Sequence, residues 1–172
     1  MQDITSKRNK LVAFRRESTK MDNFEKIMEN NREWAEAMIT EDSEYFERLV
    51  SIQTPEYLWV GCSDSRVPAN EIVGLQPGEL FVHRNVANQA PPSDINFLAV
   101  LQYSVQVLKV KDIIVTGHYG CGGVRAAFKQ HDHGPLEAWL SHIRETRAKY
   151  RHELNSPNQE DNENLLCELN VR

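Results

Sequence analysis

Residues 56–68 read EYLWVGCSDSRVP. A short, apolar, partly β-branched run ends in a cysteine, an aspartate and an arginine at alternate positions. The run has the composition of a buried strand, and its polar tail falls where that strand should reach its carboxyl end. Two more segments read the same way: GELFVHRNVAN (78–88), after the turn signal QPGE, and KDIIVTGH (111–118). Between them SDINFLAVLQYSVQVLKV (93–110) is amphipathic with helical period and has Ser93 or Asp94 as its N-cap. GGVRAAFKQ (122–130) opens another helix, and PLEAWLSHIRETRAKYRHEL (135–154) reads as a longer one. The polar segment NSPNQEDNEN (155–164) is expected to be an exposed loop, with LLCELNVR (165–172) beginning a final helix. Strands alternating with helices predict an α/β fold, mainly a parallel β-sheet flanked by helices. Phe24, Ile27, Met28, Trp34 and Met38, then Tyr45, Phe46 and Leu49, recur at helical spacing. They add an N-terminal helical arm, its second helix capped by Asp42 or Ser43.

Bulk properties exclude several classes. A chain of 172 residues with 40% hydrophobic and 26% charged residues suits one globular domain with a real core. A net charge of -5 argues against nucleic acid as a partner. No apolar run approaches the roughly 20 residues needed to span a membrane. Three cysteines, too few and too far apart for a disulfide framework, point to a reducing, cytoplasmic compartment. The charge is uneven: residues 1–20 carry six Lys or Arg against Asp3 and Glu17, a net +4, which leaves -9 for the rest. Residues 1–20 are therefore expected to form a basic, flexible leader ahead of a domain at 21–172, with a targeting role only weakly supported.

Ligands of parallel α/β sheets bind beyond the carboxyl ends of the strands. CSDSR and HYGCGG (118–123) both sit there, so neighbouring strands would bring Cys62 to His118 and Cys121. Two thiolates and an imidazole suit tetrahedral zinc and leave a fourth position. Glycines at 120, 122 and 123 let the backbone wrap closely. Asp64 has two readings, as a fourth ligand that closes the site or as the bidentate partner of Arg66 that leaves it open. Cys167 is a further candidate ligand, but its helical setting favours simple burial. The bland alternative is two core thiols, a satisfied histidine and a structural Asp64–Arg66 pair.

GCSDSRVP, GELFVHRNVAN and GHYGCGGV, in this order and spacing, resemble the beta-class carbonic anhydrases, particularly the bacterial kind. The resemblance runs from about residue 22 to residue 171. It implies Zn2+ held by Cys62, His118 and Cys121, with Asp64 and Arg66 as catalytic dyad, and reversible hydration of carbon dioxide to bicarbonate and a proton. It implies Gln53, Phe81, Val86, Tyr103 and Gly122 around the substrate, partly across a homodimer or tetramer. Trp59, Val67 and Arg84 match a subset of the family that binds bicarbonate at a second, inhibitory site, where Asp64 exchanges Arg66 for the metal. The last stretch of the family's fold, a helix and an edge strand, has no counterpart in this sequence. Two other readings compete: hydrolysis of a similar linear electrophile such as carbon disulfide, and a zinc-binding homologue without turnover.

Overall fold

The computed structural model describes residues 21–51, 53–129 and 134–172. The basic leader, residues 1–20, lies outside them. The chain divides into two compact units, Met1–Ile52 and Gln53–Arg172, each described by itself.

In the first unit, helix α1 spans Met21–Glu41 and α2 spans Tyr45–Ser51. Asp42 makes the turn between them. Its carbonyl accepts from Tyr45 N–H at 3.1 Å and its carboxylate from Glu44 N–H at 3.0 Å. The carboxylate also pairs with Arg48 one turn into α2. Trp34, Tyr45 and Phe46 pack edge to face with ring centroids 4.9–6.4 Å apart, the favoured geometry for ring quadrupoles.

In the second unit, strands β1 (Tyr57–Cys62), β2 (Leu80–Asn85) and β3 (Asp112–Val115) form a parallel sheet in the order β2-β1-β3. Its register pairs Cys62 with Asn85 and Val60 with both His83 and Val115. β1 is central, so both faces are covered. Leu58 and Val60 pack with Phe97 of helix α4 (Ile95–Gln102), while Trp59 points the other way to Ala69 and Leu80. Ala69 opens the short helix α3 (Ala69–Val73). This two-sided burial is why the run at 57–60 is continuously apolar. Leu58 and Val60 are fully buried, each contributing about 1.5–3 kcal/mol of transfer free energy.

The remaining helices are α5 (Gly122–Ala126), α6 (Pro135–Lys149) and α7 (Gln159–Leu169). They bury Val124, Leu140, Ile143, Leu166 and Cys167 in one cluster with Cys62, Ala87 and Cys121. The core therefore closes directly around the carboxyl end of β1.

Several elements depart from the sequence-based expectation. The helix expected over 93–110 is capped by Asp94, whose side chain accepts from Asn96 N–H, but it is α-helical only to Gln102. Tyr103–Leu108 continue as a π-helical segment, ending at Lys109 in the left-handed region. The segment expected as a loop over 155–164 is helical from Gln159. Asn158 caps α7 by accepting from Glu160 N–H, and Glu160 and Asp161 suit the positive end of the helix. Its polarity is a solvent face, not a loop. The helix expected over 135–154 stops at Lys149, and the one over 122–130 at Ala126. The second strand ends at Asn85, because Val86–Asn88 turn away from the sheet with a kink at Ala87.

Candidate metal centre

Cys62 ends β1. His118 follows β3 by three residues, and Cys121 is the N-cap of α5. One donor atom from each lies within 4.8 Å of the others, and Cys62 Sγ is 3.8 Å from Cys121 Sγ. His118 Nδ1 is 3.0 Å from the Tyr119 carbonyl. With Nδ1 donating there, the lone pair of the ring rests on Nε2, and Nε2 is buried without a protein partner.

Local chemistry explains why the chain turns so tightly here. Gly120 takes φ +66°, a conformation costly for residues with a Cβ. Gly123 stands so close to the 86–88 turn that a Cβ would meet Val86 Cγ1 at 2.8 Å and Ala87 Cβ at 3.0 Å. Ala87 and Asn88 themselves hold positive φ, 63° and 46°. Asn85 fixes that strained turn: its amide donates to the Gln89 carbonyl and accepts from Gln89 N–H, both at 2.7 Å.

Asp64 sits in the turn after β1, closed by Val67 N–H on the Asp64 carbonyl. Arg66 grips its carboxylate from two nitrogens, Nε to Oδ1 at 2.9 Å and Nη2 to Oδ2 at 2.7 Å. Arg66 N–H adds a third bond to Oδ1 at 3.0 Å. The guanidinium also reaches the Gly120 carbonyl at 3.2 Å, tying the two loops together. Asp64 Oδ2 lies 3.8 Å from His118 Nε2. The Arg66 guanidinium holds the Asp64 carboxyl well below the usual carboxylate range. Hydrogen bonding from Cys121 lowers the Cys62 thiol to about 4, while the same partnership and burial push Cys121 up.

The donor set fits zinc. Two sulfurs and an imidazole nitrogen are its preferred ligands, the orphaned Nε2 faces the sulfurs, and Asp64 is turned onto Arg66 instead of filling the fourth direction. Cys167 is not among the grouped donors. It is buried, and that burial pushes its thiol up.

The other expected residues are spread around this centre. Phe81 and Tyr103 pack with ring centroids 5.8 Å apart, and Tyr103 and Val86 remain 44% and 39% exposed. A Cβ at Gly122 would meet nothing within 4 Å, so open space lies before it. Gln53 is exposed in the segment leading into β1. Trp59 is buried with Ala69 and Leu80, and Val67 packs on the cluster containing Cys62. Arg84 donates to the carbonyls of Cys62 at 2.7 Å and Asp64 at 2.6 Å, bracing the metal-side loop from β2.

Helix α7 supplies supports that sequence reasoning missed. Tyr119 Oη donates to Glu168 at 2.8 Å, Arg125 Nε to Glu163 at 3.0 Å, and Asn170 to the Ala87 carbonyl at 2.8 Å. A Cβ at Gly117 would meet the Cys167 carbonyl at 3.2 Å and Val171 at 3.0 Å. Glu163 falls in helical period with Leu166 and Cys167, a signal that marked it as inward-facing.

Residues 57–172 match the protein family described as carbonic anhydrase. A carbonic anhydrase of Emericella nidulans is 50% identical over 149 residues, 86% of this chain and 65% of that protein. The chain thus spans just under two thirds of that relative's length. A tetrameric beta-carbonic anhydrase of Sordaria macrospora superposes with a TM-score of 0.83 at 38% identity, over 87% of this chain and 77% of that one. The beta-carbonic anhydrase CafA of Aspergillus fumigatus gives 0.84 at 41%, over 87% and 72%. Among the described residues, no helix is long and apolar enough to cross a membrane.

Proposed function

Since the chain belongs to the carbonic anhydrase family, in its beta class, we propose that it catalyses the zinc-dependent, reversible hydration of carbon dioxide to bicarbonate and a proton. The observation that carries this is the Cys62–His118–Cys121 donor set, with His118 Nε2 buried and unpartnered beside an Asp64 already held by Arg66.

Cys62, His118 and Cys121 are the residues that would hold zinc. Bound there, zinc supplies the Lewis acidity that makes water a nucleophile near neutral pH. Asp64 would orient the attacking water by accepting a hydrogen bond at Oδ2, the oxygen 3.8 Å from His118 Nε2. It can accept but not donate, because Arg66 keeps it ionised. Arg66 fixes the carboxylate plane through its two-nitrogen grip and fixes the loop through Gly120. Phe81, Val86 and Tyr103 form the apolar wall suited to carbon dioxide, and Gly122 leaves room for it. Gln53 supplies a polar contact on the substrate side. Val86 and Tyr103 are exposed in the single chain, which supports a homodimer or tetramer that completes the wall. Three free thiols suit the cytoplasm.

Trp59, Val67 and Arg84 form the proposed second, inhibitory bicarbonate site. Arg84 holds the carbonyls of Cys62 and Asp64, so an anion drawing Arg84 away loosens the turn that keeps Asp64 on Arg66. Asp64, released from Arg66, would then be available to the metal site as a further donor.

The test is stopped-flow carbon dioxide hydration by the chain, normalised to bound zinc. Fast turnover that collapses in Asp64→Asn, and falls as bicarbonate is added, is expected. Full zinc occupancy without turnover would overturn the assignment.

A further inference from the structure

Away from the metal centre, a cavity of about 600 Å3 opens where the chain leaves α5, between the end of α6 and the start of α7. Its walls carry Lys129, Arg144, Arg147 and Arg151, with Phe128 and Leu154 as apolar floor. On a chain of net charge -5, four cations converge on one concavity, and among the described residues no carboxylate lines it. Arg144 and Arg147 lie one turn apart on α6, and Arg151 joins them from the turn that follows the helix.

Two ordinary explanations account for part of this charge. Arg144 is paired with Glu137. The α6 carboxyl end carries about half a negative charge, which favours cations in the last turn. Together they leave more than two positive charges in the cavity uncompensated. Among the described residues, none of Lys129, Arg147 and Arg151 forms an ion pair.

Two of the four, Arg147 and Arg144, are also held in place. The Arg147 guanidinium lies 4.6 Å over the Phe128 ring and reaches the Ala127 carbonyl at 3.4 Å. Arg144 Nη2 donates to the Lys129 carbonyl at 3.1 Å, while its Nε is buried with no partner. Guanidinium forks fixed by stacking and backbone bonds suit a tetrahedral dianion, which accepts from several directions at once. The volume falls in the range of small-molecule sites, and Phe128 and Leu154 offer apolar contact beside the cations.

We propose that this cavity is a binding site for a small phosphate monoester, its dianion held by Arg147, Arg151 and Lys129 and its apolar body resting on Phe128 and Leu154. The site is separate from the metal centre and does not depend on turnover there.

The probe is phenyl phosphate, titrated into the zinc-loaded chain by calorimetry at constant ionic strength. Saturable one-to-one binding is expected, tighter than for inorganic phosphate. The double variant Arg147→Ala, Arg151→Ala should bind about tenfold more weakly or worse, as loss of two charge-assisted contacts demands, with zinc content unchanged. If the double variant does not fold, the pair Arg147→Lys, Arg151→Lys keeps charge and stem but removes the forks, and should still weaken binding. In both cases the Arg147 and Arg151 side-chain N–H signals should shift with the ligand in the parent chain. Absence of saturable heat, equal affinity for inorganic phosphate, or binding that survives the variants would overturn the proposal.

Discussion

Asp64 presents both carboxylate oxygens to Arg66, at 2.9 and 2.7 Å, while His118 Nε2 stands 3.8 Å away with no protein partner. The carboxylate thus sits at the edge of the donor set, held off it by one side chain. Replacing Arg66 with Ala removes that hold and frees Asp64 to turn towards His118. Arg66→Ala should keep its zinc and lose turnover by about 10²–10⁴-fold, the usual worth of a positioned proton acceptor. Arg66→Lys should recover little, because an ammonium cannot span both oxygens. Hydration rates at matched zinc content decide it, and near-normal turnover in Arg66→Ala would remove the pair from the mechanism.

Metal removal should be felt by the whole second unit. The three donors come from the end of β1, the loop after β3 and the start of α5, so one ion cross-links three elements around the core. An ion in thousandfold excess over its dissociation constant adds about 4 kcal/mol to stability, a Tm shift on the order of 10 °C for a unit of this size. Chelation should lower Tm by that order, and zinc should restore it. His118→Asn should start at the lower value and show no response to zinc.

Zinc-stripped chain should reveal which thiol is ionised. Cys62, lowered to about 4, is a thiolate at pH 6, whereas Cys121 and Cys167 are pushed upward and stay neutral. Only the thiolate attacks an alkylating reagent. Iodoacetamide labelling at pH 6, read by peptide mass spectrometry, should therefore favour Cys62, and the labelling should fade as pH falls through about 4. Preferential labelling of Cys167 would contradict this order.

The motif residues were legible in the sequence because strand ends announce themselves. The apolar run at 57–60 read as a buried strand and is the central one, with its polar tail at the carboxyl edge. The run at 113–115, read the same way, is instead an edge strand with Ile113 and Val115 47% and 39% exposed. What supports them was not legible. Nothing in NVANQ marks Ala87 and Asn88 as left-handed, since that strain is imposed by Asn85 bonding to Gln89 and by Gly123 pressing from α5. Residues 159–164 looked like a loop because their inward-facing member is a glutamate, held by Arg125 from a distant element as well as by Gln159 one turn earlier. Local composition records propensity. It does not record a partner 38 positions away.

Adjacent glycines at the start of α5 should respond oppositely to the same substitution. A Cβ at Gly123 would stand 2.8 Å from Val86 Cγ1, closer than real Cβ contacts come, and a tight 3.0 Å from Ala87 Cβ. Ala87 is fully buried and held at positive φ, so it cannot yield without disturbing the turn beside Cys62 and Cys121. Gly123→Ala should cost about 1–3 kcal/mol, as overpacking of a tight core does, and should lower Tm. At Gly122 the same methyl group meets nothing within 4 Å, and alanine is the better helix former. Gly122→Ala should leave Tm unchanged or raise it slightly. If the open space before Gly122 belongs to carbon dioxide, that methyl group intrudes on substrate and turnover falls while stability does not. Thermal unfolding and hydration rates on the two variants separate the roles. Equal loss of Tm in both would mean that the space at Gly122 is a packing requirement and not a substrate site.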